Sequence, residues 1–303
     1  MNRIFSNYIK KLYFQKWIIG VCQDNIKDVI RNKTFDPKIK WLFKNSFDKI
    51  HADPFLLVSE DEYIKILLEE LKSESDYGKI VLLTLDKAFK QINRKVLLDT
   101  KSHLSYPFVF REENKIFVFP EARRSGKLSC YEYDSASESL NFVKDILEFP
   151  LLDSTILKHT DKYWIFGTLS ENVSDYKLYV FYSDSLLGPY VQHPNNPVKS
   201  GLDGTRSAGN FIEVDGIIYR PSQNCQNEYG ESITISRLTE LDEKNVVEEP
   251  HMTIYMDENK SSNKGMHKIH TINVLDKYIV VDGKKWTFAP FQQLKDYINR
   301  NLK

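Results

Sequence analysis

Residues 52–70 read ADPFLLVSEDEYIKILLEE: an apolar run opened by Asp53-Pro54, a polar turn, a second apolar run and a closing carboxylate. The line returns at SYPFVF (105–110), LDSTIL (152–157), AGNFIE (208–213) and IHTINV (269–274). The turns that follow are REENK, HTDK, VDG and LDK, and the second runs are IFVFPE (116–121), YWIFG (163–167), IIYRPS (217–222) and YIVVDG (278–283). Measured at Asp53, Tyr106, Asp153, Gly209 and His270, the copies lie 53, 47, 56 and 61 residues apart. A period of about fifty residues with several short strands per repeat is the pattern of propeller blades. The expected fold is all-β: a five-bladed β-propeller with a short N-terminal extension and a C-terminal helix.

The whole chain, 1–303, reads as one such domain, with blades at about 51–100, 101–148, 149–200, 201–250 and 251–286. Third strands follow in GKIVLLTLD, GKLSCYEYD, YKLYVFYSD and SITISRLTE, the first three ending in the turn residues Asp86, Asp134 and Asp184. The fifth blade lacks an outer strand before FAPFQQLKDYINRNLK, which reads as an amphipathic helix. A ring must join its ends to remove its sheet edges. KWIIGVC (16–22) is the natural strand to complete blade five. In YIKILLEELK, Ile64, Leu67, Leu68 and Leu71 would share a helical face. Its counterparts are rich in Phe, Tyr, Ile and Val, so it reads as strand.

Lys and Arg total 42, as do Asp and Glu, so nothing global favours nucleic acid or an anionic surface. Three scattered cysteines suit a reducing compartment. The N-terminal stretch has no signal-like apolar core, and no run reaches the roughly 18 apolar residues of a spanning helix. A cytoplasmic protein is expected, with peripheral contact at the inner face of a membrane compatible.

In a propeller the inner strands run along the axis, so the anchors should form one ring. Carboxylates in apolar company (Asp53, Glu121, Asp153, Asp282) offer a base, a nucleophile or a metal ligand, or simply cap turns. Asp282-Gly283 is a common turn pair. Arg123 or Arg124, Arg206 and Arg220 stand at strand ends. They suit a phosphate or carboxylate ligand, or ion pairs that hold the ring together. His270 and Tyr229 would line the pocket, and His51, on the same strand face as Asp53 at period two, suggests a His–Asp contact near it. His267 and His270 point to opposite faces, so no metal site is expected there. The four tryptophans read as blade packing, or one of them as a sugar-stacking platform. Phosphate-cradling glycine loops, an Asp-x-Asp pair and a nucleophile-elbow motif are all missing from the sequence.

ADPFL, PEAR, LLDST, GTRSAGN, YRPSQN with the later Tyr229-Gly230, and HTIN with VVDG together resemble the N-terminal propeller of plant glucosamine inositolphosphorylceramide transferases. The likeness covers roughly residues 15–285. Bacterial stand-alone relatives are associated with surface polysaccharide synthesis, and the plant enzymes carry a separate transferase domain. More distantly the chain is similar to five-bladed arabinanase- and fructosidase-type glycosidases. That likeness maps a catalytic Asp onto Asp53 and a pKa-tuning Asp onto Asp153. The glycosidases' acid Glu has no match, since Ser207-Ala208-Gly209-Asn210 stands there, and Glu121 is the substitute.

Glycoside hydrolysis needs a proton for a poor leaving group, whereas a sugar phosphate needs positive charge. The expectation is therefore a glycosyltransferase-type enzyme with Asp53, Glu121 and Asp153 catalytic. Arg123, Arg206, Arg220, Tyr229 and His270 would bind substrate. The partners would be a sugar phosphate or nucleotide-sugar donor and a glycan or glycolipid acceptor in cell-surface polysaccharide or glycolipid biosynthesis. No resident cofactor is implied; a divalent metal accompanying a phosphorylated donor is compatible. The alternatives are a furanosidase-like hydrolase and a non-catalytic propeller that binds a glycan or protein.

Overall fold

The computed structural model describes residues 13–43, 49–72, 77–170, 176–257 and 265–288. The expected C-terminal helix lies outside them. Five antiparallel sheets form a five-bladed β-propeller. Blade one is built from Lys49–Ser59, Tyr63–Lys72, Gly78–Asp86 and Gln91–Leu98, from the axis outward. Blade two uses Ser105–Glu112, Lys115–Glu121, Leu128–Asp134 and Ser139–Leu147. Blade three uses Leu152–His159, Lys162–Ser170 and Tyr176–Ser183, with two short edge strands. In blade four the inner strand is split into Asp203–Ser207 and Ile212–Val214, followed by Ile217–Asn224, Ser232–Leu241 and Val246–Ile254.

Blade five is split in the same way, into Met266–Lys268 and Ile272–Leu275, and continues with Tyr278–Phe288. Its next strand is Tyr13–Gln23 from the other end of the chain, paired antiparallel from Tyr13↔Phe288 to Gln23↔Tyr278. A short helix, Ile26–Asn32, follows that strand; the Asn25 side chain accepts the Lys27 N–H at its start. YIKILLEELK is strand, as read from the sequence.

The core sits between blades. Phe55, Tyr106, Phe108 and Phe119 fill one gap, and Ile18, Ile235, Ile272 and Val281 another. Asp86 and Asp134 close exit turns by accepting the N–H groups of Ala88 and Ala136.

Blades one to three each break their ladder at the anchor. Pairing jumps from Ala52↔Glu69 to Phe55↔Leu67, from Ser105↔Glu121 to Phe108↔Phe119, and from Leu152↔Thr168 to Thr155↔Phe166. The inner strand then carries an extra residue, which is a β-bulge. Asp53, Tyr106 and Asp153 take left-handed φ values of 50°, 41° and 48° there. Such a conformation costs a non-glycine residue about 1–3 kcal/mol and persists only where the surroundings impose it. They do: Asp282 Oδ2 accepts the Asp53 N–H (3.1 Å), Asp53 Oδ2 the Tyr106 N–H (3.2 Å) and Glu121 Oε2 the Asp153 N–H (2.9 Å). Each bond crosses from one blade to the next.

Blade four uses Gly209 at φ 138°, and here the main chains themselves meet: the Ile272 N–H donates to Ala208 O at 2.7 Å. A Cβ on Gly209 would stand 1.9 Å from Ile272 O. Gly209→Ala should therefore combine backbone strain with overpacking and cost at least ~2 kcal/mol. A melting experiment should show a loss of about 3 °C or more for a chain of this size; an unchanged melting temperature would refute the close approach.

Candidate functional site

The anchors deliver their side chains to the axis. His270, at the break in blade five, lies between two carboxylates: its Nδ1 is 2.8 Å from Asp282 Oδ1 and its Nε2 is 3.2 Å from Asp53 Oδ1. All three residues are buried. Asp282 Oδ1 also accepts the N–H groups of His270 and Thr271 (3.1 and 3.0 Å), which fixes the backbone carrying the imidazole. Burial opposes a charge on His270, but the Asp282 and Asp53 carboxylates outweigh it and push the imidazole up to about 10. At neutral pH it is an imidazolium. Trp17, from the closing strand, packs on it with ring centroids 4.1 Å apart, and Tyr229 stands at 5.4 Å. A Cβ on Gly230 would meet Trp17 and His270 at 2.7 and 2.9 Å, so only glycine lets these rings close.

On the opposite side of the ring, Asp153 Oδ2 takes hydrogen bonds from Arg206 Nε (2.6 Å) and Gln223 Nε2 (3.0 Å). The Arg206 guanidinium lies over the rings of Tyr229 and Tyr176, at 5.1 and 5.5 Å. Burial raises Asp153 above the ordinary carboxylate range, with Arg206 pulling it back. Glu121 is buried next to Asp153, and burial, reinforced by that neighbouring charge, pushes it up to about 8. Glu69 holds the same place in blade one as Glu121 in blade two, each opposite the residue before the anchor. Burial and the charges of Asp53 and Glu121 raise it well above its usual range too. Gly78 makes room for it, since a Cβ there would lie 2.5 Å from Glu69 Oε1. The ring therefore presents carboxyl groups in contrasting environments around one axis, which is what proton transfer requires.

Asp53, Asp153, Glu121, Arg206, Tyr229 and His270 thus converge. Arg123 opens an exposed 3-10 turn immediately after Glu121–Ala122, at the surface. Neighbouring Arg124 is also exposed, and its charge helps burial keep His103 below its usual range.

Arg220 is a correction. It is fully buried, paired through Nε and Nη2 with Glu248 and donating to Gly204 O. It ties blade four together and presents no cation to a ligand. The contact expected between His51 and Asp53 is also corrected. The bulge at Asp53-Pro54 separates their faces, so His51 stacks on Phe43 at 3.9 Å and meets Glu70 at 3.3 Å.

Glu69, Trp17 and Gln223 are site residues that sequence reasoning leaves out, and Asp282 reads there as a turn residue. Glu69 has a signal, its alignment with Glu121; Trp17 and Gln223 have none. Gly283 is not in a turn but in mid-strand, where its missing Cβ accommodates Trp41.

Asp53, His270 and Asp282 are also the group whose ligand atoms lie within 4.8 Å of one another among the described residues. Their oxygens already accept main-chain N–H groups, and His270 supplies the counter-charge. One imidazolium offsets one of the two carboxylate charges, and a metal there would need a neutral imidazole. No helix among the described residues is long and apolar enough to cross a membrane.

The family profile described as glucosamine inositolphosphorylceramide transferase 1, N-terminal, matches residues 43–284. The glucosamine inositolphosphorylceramide transferase 1 of Arabidopsis thaliana is 34% identical over 230 residues, covering 72% of this chain and 30% of that protein. Its namesake in Oryza sativa subsp. japonica is 32% identical over 211 residues, covering 66% and 27%. The chain thus spans less than a third of the length of these curated relatives. Among solved structures, a family 117 glycoside hydrolase from the marine bacterium Zobellia galactanivorans aligns with a TM-score of 0.55 over 92% of both chains at 12% identity. A GH43 β-1,3-galactosidase solved with galactodeoxynojirimycin aligns with a TM-score of 0.54 at 11% identity, over 71% of this chain and 82% of that one. Those two are likenesses of fold. By the profile and the sequence relatives, the chain belongs to the glucosamine inositolphosphorylceramide transferase N-terminal family.

Proposed function

We propose that this propeller is a glycosyltransferase-type carbohydrate-active enzyme. It would move a sugar from a phosphorylated or nucleotide-activated donor to a glycan or glycolipid acceptor, in assembly of cell-surface polysaccharide or glycolipid. It would work in the cytoplasm, at the inner face of a membrane. The observation that carries the reading is the buried Asp53 carboxylate facing the His270 imidazole, which Asp282 holds from its other side. The names of the sequence relatives favour transfer.

In this reading Asp53 takes the proton of the acceptor hydroxyl, with His270 and Asp282 orienting it. Arg206 offers positive charge as the donor's bond between sugar carbon and phosphate oxygen breaks. Tyr229 and Trp17 give the sugar an aromatic wall. Any divalent metal would arrive with the donor phosphate.

One observation favours a second reading, a furanosidase-like hydrolase. Glu121 is an acid at neutral pH and can protonate an alkoxide leaving group, which phosphate does not need.

A panel of nucleotide sugars, sugar phosphates and aryl furanosides separates these readings. Asp53→Asn keeps an acceptor for the Tyr106 N–H and should reduce turnover at least ~100-fold with little change in melting temperature. Release of free sugar from aryl furanosides alone would select the hydrolase. No turnover with any substrate would leave a binding propeller.

Glu121 gives a pH test with a definite sign. Its folded carboxyl holds a proton to about 8, whereas an unfolded glutamate loses it near ~4.3. Its stabilising contribution is full below the unfolded value and disappears as pH rises through the folded one. Glu121→Gln should melt like wild type at pH 4 and above it at pH 8, because glutamine has no proton to lose. If Glu121 is the acid, wild-type turnover should fall about tenfold per unit above pH 8, and the variant should lose this limb. A wild-type profile flat to pH 10 would remove Glu121 from the acid role.

A further inference from the structure

With Arg220 buried against Glu248 and the charge of Arg206 partly offset by Asp153, a phosphate on an axial ligand would draw on further positive charge. Blade five holds one. Trp17, Lys284 and Lys268 are register partners in a row across three strands: Trp17↔Lys284 on one side, Lys284↔Lys268 on the other. Like charges directly opposite on a sheet repel and are ordinarily avoided. Lys284 is half-buried, its Nζ 5.6 Å from the centroid of Trp17, the ring that packs on His270. It meets no carboxylate among the described residues. Lys268 is buried and reaches one anion among the described residues, Glu228, whose side chain is 64% exposed. Glu228 adjoins Tyr229, the other aromatic face of the axial site.

We propose that Lys268 and Lys284 form a phosphate subsite beside Trp17, next to the axial cluster. It would receive the anionic part of a ligand whose sugar faces Trp17, Tyr229 and His270. In the free protein Glu228 occupies Lys268 as a surface counter-ion that a phosphate displaces. Burial, and for Lys268 the neighbouring Lys284 charge, lower both ammonium groups from their usual range, Lys268 to about 8. Two crowded cations with one exposed partner gain more from an incoming dianion than an ordinary surface lysine does.

The sugar half of this assignment rests on the carbohydrate reading of the axis. The phosphate half can be measured without any turnover, so the two fail separately. Titration calorimetry of the full chain with inorganic phosphate is the test. Lys268→Met/Lys284→Met should bind phosphate at least about tenfold more weakly than wild type. Lys268→Arg/Lys284→Arg should retain most of the affinity, which guards against a folding defect. Glu228→Gln should bind roughly two- to fivefold more tightly, because it removes the internal competitor.

Phosphate affinity equal in wild type and the Met double variant overturns the subsite, as does a Glu228→Gln variant that binds no better than wild type. The source of the phosphate is read with two further probes. Uridine diphosphate represents a nucleotide donor and glycerophosphoinositol a lipid headgroup; the one whose affinity drops in the Met double variant identifies it.

Discussion

The structure depends on a hydrogen bond repeated around its axis: a main-chain N–H from a left-handed anchor in one blade, accepted by a carboxylate of the blade before. Asp282 holds Asp53, Asp53 holds Tyr106, and Glu121 holds Asp153. The anchors need this support because their backbone conformation is unfavourable for residues with a Cβ. The carboxyls need it because a buried polar group must be hydrogen-bonded. Strain and desolvation, each unfavourable alone, satisfy one another at the blade junctions. The same groups form the candidate site, so the chemistry of the axis and the closure of the ring are not separable. Conservative changes that retain an acceptor, such as amides, are the informative ones.

The fold was legible because the repeat is written in two registers at once. Period-two strands mark each blade, and a polar or left-handed residue marks each arrival at the axis. ADPF, SYPF and LDST align because each spells the same bulge. The site was legible only as far as it follows this alignment. Glu69 could have been found, since ILLEE and FVFPE end at equivalent places. Arg220 could not be placed: its partner Glu248 is 28 residues on, in an outer strand, and local sequence carries no trace of that pairing. The apolar flanks of Arg220 signal burial rather than a ligand. Spacing along the strand suggested His51 for Asp53, but the bulge turns Asp53 away from it and toward His270. Asp282-Gly283 looked like a turn because the turn preference of that pair is strong. Its glycine answers to Trp41, from a strand far away in sequence.

The ring is also electrically uneven in a chain of zero net charge. Carboxyls crowd the blade-one to blade-three side, with His270 and Arg206 as their counter-ions. The lysines gather at the rim of blade five. A ligand carrying a sugar and an anionic group would be oriented by this asymmetry before any close contact forms.

The closing strand has a consequence for how the molecule is made. Tyr13–Gln23 is synthesised before any blade, yet its partner Tyr278–Phe288 follows only after four blades are complete. Until then the apolar segment IIGVC has no strand of blade five to pair with. An unpaired apolar edge invites other chains, and a contact of such sequence separation forms slowly. The nascent chain therefore passes through an interval as an open ring, in which residues 13–23 lack their blade-five partner.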